Sequence, residues 1–372
     1  MKKIGITGQK GFVGTHLNNT LKLYKEEFAC VEFRRSYFET DEALDAFVSQ
    51  CDVIVHLAAL NRHNDQDVIY ATNTGLVNKL VEALDRTKSK PHIIFSSSSQ
   101  EEKDNLYGKS KKEGRELLEK WASTSGGKLT GMVIPNVFGP FGNPYYNSVI
   151  ATFSHRVARG EAPEIQVDGQ LKLIYVGELV QEIINKIRSS NNEPLYFVPH
   201  TAEARVSEIL NLLQRYKEEY QDKGSIPAIK NNFELNLFNT YRCYMDIAKH
   251  FPVKFIKHMD PRGSFVEIIR LNVGGQVSFS TTVPGITRGN HFHTRKIERF
   301  AVIKGKALIQ LRRIGTEEIL NFELSGDEPA YVDMPIWYTH NIKNIGEEEL
   351  YTNFWINEFY NPEDPDTYFE NV

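Results

Sequence analysis

Two hydrophobic patterns follow one another along the chain, and each predicts a different architecture. Up to about residue 180, short apolar runs rich in β-branched residues alternate with stretches whose apolar residues recur every three or four positions. The first pattern is typical of buried strands and the second of amphipathic helices, so their alternation predicts parallel βαβ winding. The predicted strands are residues 3–7, 30–35, 52–58, 92–97 and 130–135, and the predicted helices between them are clearest at residues 73–87 and 110–123. Two further amphipathic segments, residues 176–190 and 206–220, predict a small α-rich subdomain beside the sheet.

The pattern changes in the second part of the chain. Residues 220–241 are polar and irregular, which indicates a linker. From about residue 251 onward, short strand-like runs are broken by Gly, Pro and Asn, and this predicts an antiparallel sandwich or barrel. A chain of 372 residues is also too long for one ordinary core. We therefore expect one domain over residues 1–245 and another over residues 252–372.

Composition excludes several classes of partner. The formal net charge is -4, so the chain lacks the excess of positive charge that is typical of nucleic-acid-binding proteins. No apolar run approaches ~18 residues, so we expect no membrane span. The three cysteines stand in neither disulfide nor metal-binding spacing, which is typical of a reducing cytoplasm.

A glycine-rich turn follows the first predicted strand. Gly8, Gly11 and Gly14 stand at three-residue spacing before a helix that begins near Thr15. In this context the first glycine permits a tight turn, the second lets the backbone approach a pyrophosphate, and the third lets the helix pack on the strand. The spacing predicts a dinucleotide site at a helix N-terminus.

Two arginines at the expected end of the second strand bear on which dinucleotide binds. A site for NAD normally has an acidic residue there, whereas an arginine accommodates the 2′-phosphate of NADP. Arg34 and Arg35 occupy the position, and Glu32 lies earlier in the strand. We therefore predict NADPH, with a solvated arginine pair as the alternative.

A serine, a tyrosine and a lysine have the spacing of a carbonyl-reducing set. Tyr107 and Lys111 are four residues apart at the start of a predicted helix, so they share one face. An ammonium group beside a phenol is expected to lower the pKa of the phenol. With Ser98 holding the substrate oxygen, the tyrosine would protonate a ketone while a nicotinamide delivers hydride to its carbon.

These motifs together resemble the extended short-chain dehydrogenase/reductase family, whose members mostly act on nucleotide-sugars. The resemblance rests on TGQKGFVG, VIVHLAA (53–59), Asn73, FSSS, YGKSK, PNVFGP (135–140) and YVGELV (175–180). It implies an α/β Rossmann-type doubly wound parallel sheet and a catalytic set of Ser98, Tyr107 and Lys111. It also implies that Asn73 is a structural or proton-relay residue beside the cofactor, and that Asn136 and Ser98 contact the substrate. The further cofactor-binding residues implied are Phe12, Val13, Leu57, Ala58 and Ala59.

Two departures from the family pattern narrow the chemistry. Dehydratases of the family have Asp-Glu directly after the catalytic Ser or Thr, but here Ser99 and Gln100 stand there. The 4-epimerases that retain NAD usually have an acidic end to the second strand, where this chain has arginines. We therefore expect a net reduction by a dissociable NADPH.

The second part of the chain contains a pattern typical of metal ligands. His291 and His293 are two apart, so they lie on the same side of a strand, and a hairpin can bring Glu298 beside them. His340 offers a fourth ligand. Two or three imidazoles with one carboxylate predict a divalent metal site. Zinc is our first choice, and iron, manganese and nickel stay open because the ligand types alone do not separate them.

The spacing around these ligands resembles the two motifs of the cupin family, which implies an all-β cupin barrel. Pro335, Trp337, His340 and Asn344 match the second motif, with Trp337 in place of the usual glycine. Residues 260–270 resemble a strand motif of 6-deoxy-hexos-4-ulose epimerases, which invert carbons beside a 4-keto group. The base for such an inversion stays open among three residues, namely Tyr338, His258 and Glu267.

The combination of both halves, ending in NPEDPDTYF (361–369), resembles a family of two-domain UDP-sugar epimerase/reductases of capsular-polysaccharide and O-antigen biosynthesis. The resemblance implies a UDP-4-keto-6-deoxy-N-acetylhexosamine substrate that is inverted at C3 by the cupin domain. It also implies reduction at C4 by NADPH to UDP-N-acetyl-6-deoxy-L-talose, on the route to UDP-N-acetyl-L-fucosamine. The alternatives are a monofunctional reductase whose zinc domain is structural, and a non-enzymatic sensor of NADP and metal. A homodimer is expected because twofold assemblies are the commonest.

Overall fold

The computed structural model describes residues 1–372, which form two compact units. The first unit comprises residues 1–152 and 168–206, and the second comprises residues 153–167 and 207–372. The assignment of separate domains to residues 1–245 and 252–372 stays a prediction.

A six-stranded parallel sheet forms the centre of the first unit. The nine strands of the unit are β1 (Lys2–Thr7), β2 (Phe28–Val31), β3 (Val53–His56), β4 (His92–Ser98), β5 (Lys128–Ile134), β6 (Asn136–Phe138), β7 (Gln170–Tyr175), β8 (Glu193–Phe197) and β9 (Ala202–Arg205). Their order in the main sheet is β2-β1-β3-β4-β5-β8, and β6, β7 and β9 form a small separate sheet. The order reverses between β1 and β3, where sheets of this type open a crevice at their carboxyl ends.

Helices cover both faces of this sheet. They are α1 (Phe12–Leu21), α2 (Asp41–Val48), α3 (Gln66–Thr87), α4 (Leu106–Ser125) and a later helix, α6 (Val176–Ser189). Helix α5 (Val149–Ala158) begins in the first unit and ends in the second. One apolar core joins α1 and α6 to the sheet through Ile4 and Val55, and a second joins α2, α3 and α4 to it through Ile54 and Ile93. Successive strand residues thus enter opposite cores, and the predicted doubly wound Rossmann-type sheet is confirmed.

The structure corrects the predicted end of the second strand. Strand β2 ends at Val31 because it pairs with β1 only over residues 28–31. Phe33 then turns into the apolar core. Arg34 and Arg35 therefore lie beyond the strand, where Arg34 precedes a one-turn 3₁₀ helix, Arg35–Phe38.

The second unit combines helices with antiparallel strands. The helices are α7 (Val206–Tyr216), α8 (Asn232–Arg242) and α9 (Ile247–His250). The strands are β10 (Val253–Lys254), β11 (Lys257–Asp260), β12 (Gly263–Val266), β13 (Gln276–Thr282), β14 (Thr287–Phe292), β15 (Glu298–Lys304), β16 (Lys306–Arg313), β17 (Ile319–Ser325), β18 (Ala330–Met334), β19 (Tyr338–Asn344), β20 (Leu350–Ile356) and β21 (Tyr368–Phe369). They form sheets of order β10-β18-β15-β20-β13 and β17-β16-β19-β14-β21, and a separate β11-β12 hairpin.

The two five-stranded sheets share one apolar core. Phe300 and Val332 contribute to it from the first sheet, and Ile309 and Ile342 from the second. The β-rich architecture expected from residue 251 onward is therefore confirmed. The closed cupin barrel is not confirmed, because no ladder of hydrogen bonds joins the two sheets.

Residues 220–241 were predicted to be a linker, and this prediction is wrong. They include most of α8, in which Leu237 and Phe238 are fully buried. Two polar residues of α8, Asn239 and Arg242, are buried as well. Asn239 Nδ2 donates to the Arg295 carbonyl at 2.8 Å, and Arg242 Nη2 donates to the Met334 carbonyl at 2.9 Å. The polar sequence misled because these groups are satisfied inside the protein rather than by water.

A buried ion pair joins β15 to β18. Arg299 donates from Nε to Asp333 Oδ1 at 2.7 Å and from Nη2 to Oδ2 at 2.9 Å, and Asp333 is 0% exposed. The Tyr220 hydroxyl donates to the same carboxylate at 2.8 Å, and Arg299 Nη1 donates to the Gly224 carbonyl at 3.0 Å. The pair therefore ties the segment after α7 to the sheet.

No helix in the structure is both long enough and apolar enough to cross a membrane. All three cysteines are free thiols. Burial raises the pKa of Cys51 to about 12 and that of Cys243 to about 12, so both are protonated at neutral pH.

We expect Asp333→Asn to lower the free energy of unfolding of the second unit by about 3–5 kcal/mol, because the Arg299 cation stays buried without its counter-charge. The measurement is urea unfolding followed by tryptophan fluorescence. Glu328→Gln is the control, because the Glu328–Lys254 pair is exposed and should leave the midpoint unchanged. Equal midpoints for both variants would contradict the assigned role of the pair.

Candidate active site and metal centre

The glycine turn lies directly after β1 and opens α1. Gly8 has a φ of +74°, and its carbonyl accepts a hydrogen bond from the Gly11 N–H at 2.9 Å. A Cβ atom at Gly14 would lie 2.2 Å from the Gly8 oxygen, so no other residue fits there without opening the turn. Gly11 precedes α1 and provides no side-chain cap. The first-turn N–H groups are thus left for an anion such as a pyrophosphate.

A cleft of about 940 Å³ opens at the carboxyl ends of β1 and β3, where the strand order reverses. It brings together most of the predicted cofactor, catalytic and substrate residues. These are Gly8, Gly11, Phe12, Val13, Gly14, Leu57, Ala58, Ala59, Ser98, Tyr107, Lys111 and Asn136. The other three predicted residues, Arg34, Arg35 and Asn73, do not line it.

Asn73 is buried behind the cleft and fastens the loop after β3. Its Oδ1 accepts from the Leu60 N–H at 2.7 Å, and its Nδ2 donates to the Leu60 carbonyl at 3.1 Å. Nδ2 also lies 3.1 Å from the Ser110 hydroxyl on α4. In this structure Asn73 holds the loop that begins with Leu57, which does line the cleft.

The two arginines after β2 are exposed and only one is paired with the nearby acidic residue. Arg34 Nε donates to Glu32 Oε1 at 2.8 Å. The negative charge of Glu32 is therefore balanced by Arg34, and Arg35 adds a positive charge to this turn.

Lys111 is buried on α4 beneath Tyr107. Its Nζ donates to the Ser96 carbonyl at 2.8 Å and lies 5.9 Å from the centre of the Tyr107 ring. Burial lowers the pKa of Lys111 to about 8, although the carboxylate of Glu101 acts in the opposite direction. Asn105 begins the helix by accepting from the Gly108 N–H at 2.7 Å.

Tyr107 does not have the lowered pKa that the sequence predicted. Burial raises the pKa of Tyr107 to about 12, its hydrogen bond with Ser98 acts in the lowering direction, and the nearby Tyr146 raises it further. The prediction of a lowered pKa is wrong, because burial is the largest influence on this phenol and it raises the pKa. At neutral pH Tyr107 is a neutral phenol, which is the state of a proton donor.

The carboxylate nearest in sequence to Ser98 is held in an ion pair. Glu101 accepts from Arg115 Nε at 3.0 Å and from Arg115 Nη2 at 3.0 Å, and both side chains are buried. The Ser97 hydroxyl donates to the same carboxylate. Since Ser99 and Gln100 are not acidic, this part of the cleft offers no unpaired carboxylate for dehydration chemistry.

The four predicted metal ligands come together in the second unit. One ligand atom each of His291, His293, Glu298 and His340 lies within 4.8 Å of the others. His291 on β14 stands directly opposite His340 on β19, and Glu298 is the first residue of β15. His293 lies one residue beyond the end of β14.

The contacts within this group fit a divalent cation. Glu298 Oε2 lies 3.2 Å from Nε2 of both His293 and His340. The second contact lacks hydrogen-bond geometry, so the buried Nε2 of His340 has no hydrogen-bond partner. A buried nitrogen without a partner, facing a carboxylate and two more imidazoles, is what a shared metal ion would satisfy. Burial lowers the pKa of His291 to about 4, which leaves this imidazole unprotonated for a metal.

Trp337 keeps the conformation that a glycine would have at its position in the second cupin-like motif. Its φ is +62°, in the left-handed region that favours glycine. Its N–H donates to the His293 carbonyl at 2.8 Å, and its ring stacks on Phe292 with centroids 5.6 Å apart. The turn geometry is therefore retained despite the tryptophan.

The three residues considered as the base differ in their surroundings. Tyr338 lies on β19 two residues before His340 and so faces the same side of the strand. His258 is exposed on β11, and Glu267 is exposed and paired with Arg270 at 2.7 Å. Of the three, only Tyr338 lies on a strand that carries one of the candidate metal ligands, His340.

Comparison with known proteins matches both units. Residues 4–194 match the NAD dependent epimerase/dehydratase family, and residues 258–368 match the Polysaccharide biosynthesis C-terminal domain. The UDP-2-acetamido-2,6-beta-L-arabino-hexul-4-ose reductase of Pseudomonas aeruginosa is 31% identical over 369 residues, which is 98% of each chain.

The chain belongs to the NAD dependent epimerase/dehydratase family.

Solved structures agree with this membership. The capsular polysaccharide assembling protein CapF of Staphylococcus aureus is 36% identical, with 100% of both chains covered and a TM-score of 0.65. The predicted relationship to two-domain UDP-sugar enzymes of capsule synthesis is thereby confirmed. RMD of Pseudomonas aeruginosa, complexed with NADPH, shares the fold at 21% identity and a TM-score of 0.53, with 59% of this chain and 83% of that chain covered.

Sequence reasoning missed one side of this family's cleft. Arg62 donates to the carbonyls of Tyr145 and Tyr146, the latter at 2.9 Å, and Asn147 Nδ2 donates to the Asn61 carbonyl at 3.0 Å. Arg62, Tyr146 and Asn147 also line the cleft. In the sequence, only the run of Gly, Pro, Asn and Tyr after PNVFGP indicated a loop at this place. The loop that it contacts lies more than 80 positions earlier in the sequence.

We expect Gly14→Ala to weaken dinucleotide binding on the order of tenfold or more, because the added methyl would lie 2.2 Å from the Gly8 oxygen and open the turn. The measurement is a fluorescence titration with NADPH. Gly75→Ala is the matched control, since its Cβ on α3 meets nothing within 4 Å. That variant should bind as the wild type does and gain roughly 1 kcal/mol of helix stability. Unchanged affinity in Gly14→Ala would show that the turn does not hold the dinucleotide.

Proposed function

We propose that the first unit reduces the C4 ketone of a UDP-2-acetamido-2,6-dideoxy-4-hexulose with NADPH. The observation that carries the proposal is that Ser98, Tyr107 and Lys111 line the same cleft as the glycine turn. The name of the Pseudomonas aeruginosa relative, a 4-hexulose reductase, supports the substrate class. The predicted product is UDP-N-acetyl-6-deoxy-L-talose.

NADPH would be held by the turn from Gly8 to Gly14 and would supply the hydride. Arg35 supports NADPH over NADH, because Glu32 is already paired with Arg34 and a positive charge is left for the 2′-phosphate.

Side chains of the first unit carry out the proton transfer to the substrate. Ser98 holds the C4 oxygen by a hydrogen bond, and the neutral Tyr107 phenol donates its proton to that oxygen as charge develops. The Lys111 ammonium then stabilises the phenolate that Tyr107 becomes. Asn136, at the start of β6 and on the cleft wall, is proposed to contact the substrate diphosphate.

The pKa of Lys111 sets a pH dependence for the reduction. Because that pKa is lowered to about 8, the side chain is charged below this pH and neutral above it. We expect kcat/KM to be level near about pH 6–7 and to fall about tenfold per pH unit above the pKa. Lys111→Arg should lower the rate but remove this limb, since a guanidinium keeps its charge. If kcat/KM of Lys111→Arg falls above about pH 8 as it does in the wild type, the fall must come from the titration of another group.

We propose further that the second unit inverts C3 of the 4-keto sugar. His291, His293, Glu298 and His340 would hold a divalent cation, with zinc as first choice, and the cation would supply the positive charge that makes the proton next to a ketone acidic. Tyr338 is proposed to move the C3 proton, because it shares a strand face with His340. The alternative, a structural metal in a monofunctional reductase, predicts no C3 chemistry.

An isotope experiment separates these two functions. The metal-loaded protein is incubated with the 4-keto substrate in deuterium oxide without NADPH, and C3 deuterium is measured by NMR. We expect exchange in the wild type and in Tyr107→Phe, whose reduction rate should fall about 10²–10⁴-fold. His291→Ala should lose the exchange. No deuterium at C3 in the wild type would remove the epimerase proposal and leave the reductase proposal standing.

We also propose a homodimer that forms through the second unit. Strand β13 is at the edge of its sheet and exposes Val277 and Phe279, the latter 75% exposed. The β11-β12 hairpin exposes Met259 and Phe265. Exposed apolar side chains on an edge strand favour pairing with another chain.

A further inference from the structure

A part of the metal centre lies outside the ligand motif, in residues 357–370, here called the C-terminal strap. Two of the proposed ligands, His293 and Glu298, are separated by residues 294–297. Each of the four backbone N–H groups in this short turn donates to a side-chain oxygen of the strap. The backbone of the turn is therefore held by side chains 60 to 72 positions further along the chain.

Asp366 accepts three of these four hydrogen bonds. Its carboxylate accepts from the N–H of Thr294 at 3.0 Å, of Arg295 at 3.0 Å and of Lys296 at 3.1 Å. The Thr294 hydroxyl donates to it as well, at 2.6 Å. The fourth N–H, of Ile297, donates to Asn357 Oδ1 at 2.8 Å. Successive N–H groups that converge on one carboxylate form a concave anion site, and here the protein fills that site itself.

The backbone of Asp366 contacts a proposed ligand directly. Its carbonyl oxygen lies 2.5 Å from His293 Nδ1, so Nδ1–H donates to it and Nε2 is left to face the other ligands. A second hydrogen bond of this kind fixes the tautomer and the orientation of a metal-binding imidazole. Asp366 is 2% exposed, so water does not compete for these contacts.

The strap also pairs with the strand that carries His291. Strand β21 lies antiparallel to β14, with Phe369 opposite His291. Beyond it, the Glu370 N–H donates to the Asn290 carbonyl at 3.0 Å. The strap thus contacts the backbone on both sides of the His291–His293 pair.

We propose that Asp366 is a positioning residue of the metal centre, which holds His293 and Glu298 at the separation that one divalent cation requires. The inference rests on the proposed metal site and does not depend on what reaction occurs there. Without the carboxylate, three backbone N–H groups lose a charged acceptor, and the turn between the two ligands gains freedom that metal binding must remove.

The experiment compares Asp366→Asn with Asp364→Asn. Asp364 lies two residues away in the same strap, but its side chain is 65% exposed and pairs with Arg295 on the surface. The affinity for Zn²⁺ is measured by competition with a chromophoric chelator, below the unfolding temperature of each variant. We expect Asp366→Asn to bind Zn²⁺ about 10–100-fold more weakly than the wild type, and Asp364→Asn to bind within about threefold of it.

A spectroscopic readout separates positioning from general stability. With Co²⁺ in place of Zn²⁺, the visible absorption bands report the ligand geometry. We expect altered bands in Asp366→Asn and unchanged bands in Asp364→Asn. Thr294→Val removes one hydrogen bond without removing the carboxylate, and it should weaken Zn²⁺ binding by a smaller factor, about tenfold or less.

The outcomes distinguish this inference from the function on which it rests. If the wild type binds no Zn²⁺, the proposed metal site is wrong. If the wild type binds Zn²⁺ and Asp366→Asn matches it in affinity and in the Co²⁺ spectrum, the metal site stands and the role of Asp366 is overturned.

Discussion

The buried pair of Arg299 and Asp333 is the interaction on which the second unit depends. Two charges removed from water are stable only while both stay paired, so every element that touches them is held in place. The pair faces the segment after α7 through Tyr220 and Gly224. Since successive residues of a strand point to opposite faces, fixing Arg299 on that side directs its neighbour Glu298 to the other side, toward the histidines. One ion pair therefore both attaches the helical segment and orients a proposed metal ligand.

The two sites are built by different physical means. In the cleft of the first unit, the backbone at the strand ends positions most of the side chains. Burial shifts the pKa values of Lys111 and Tyr107, and the neutral Tyr107 can donate a proton. At the metal centre the side chains come from three strands and a turn, and their mutual approach is favourable only when a cation or a proton balances Glu298. The glycine turn of the first site is thus one local strand–turn–helix unit, whereas the four residues of the second site come together only when both five-stranded sheets are formed.

The sequence was informative wherever chemistry and geometry are local. The glycine turn, the Tyr107–Lys111 spacing on one helix and the His291–His293 alternation are all short-range patterns, and the structure brings these residues together. The linker prediction failed because α8 hides its polar residues by contacts with residues more than 50 positions away, such as Asn239 with Arg295. The pKa of Tyr107 was misjudged because spacing reveals a nearby cation but not the degree of burial. The role of Asp366 could not be predicted from the sequence, since an aspartate in a proline-rich segment is typical of an ordinary surface turn.

The position of the strap has a consequence for the order of events during synthesis. Asp366 follows Lys296, whose N–H it accepts, by 70 residues. At typical rates of translation this corresponds to a delay of roughly 4–14 s between the two. During that interval the turn between His293 and Glu298 lacks its acceptors, even though both ligands already exist. At the proposed metal site a nascent chain would therefore bind a cation only weakly, and tight binding would have to wait until residues 357–370 have left the ribosome and bound the turn.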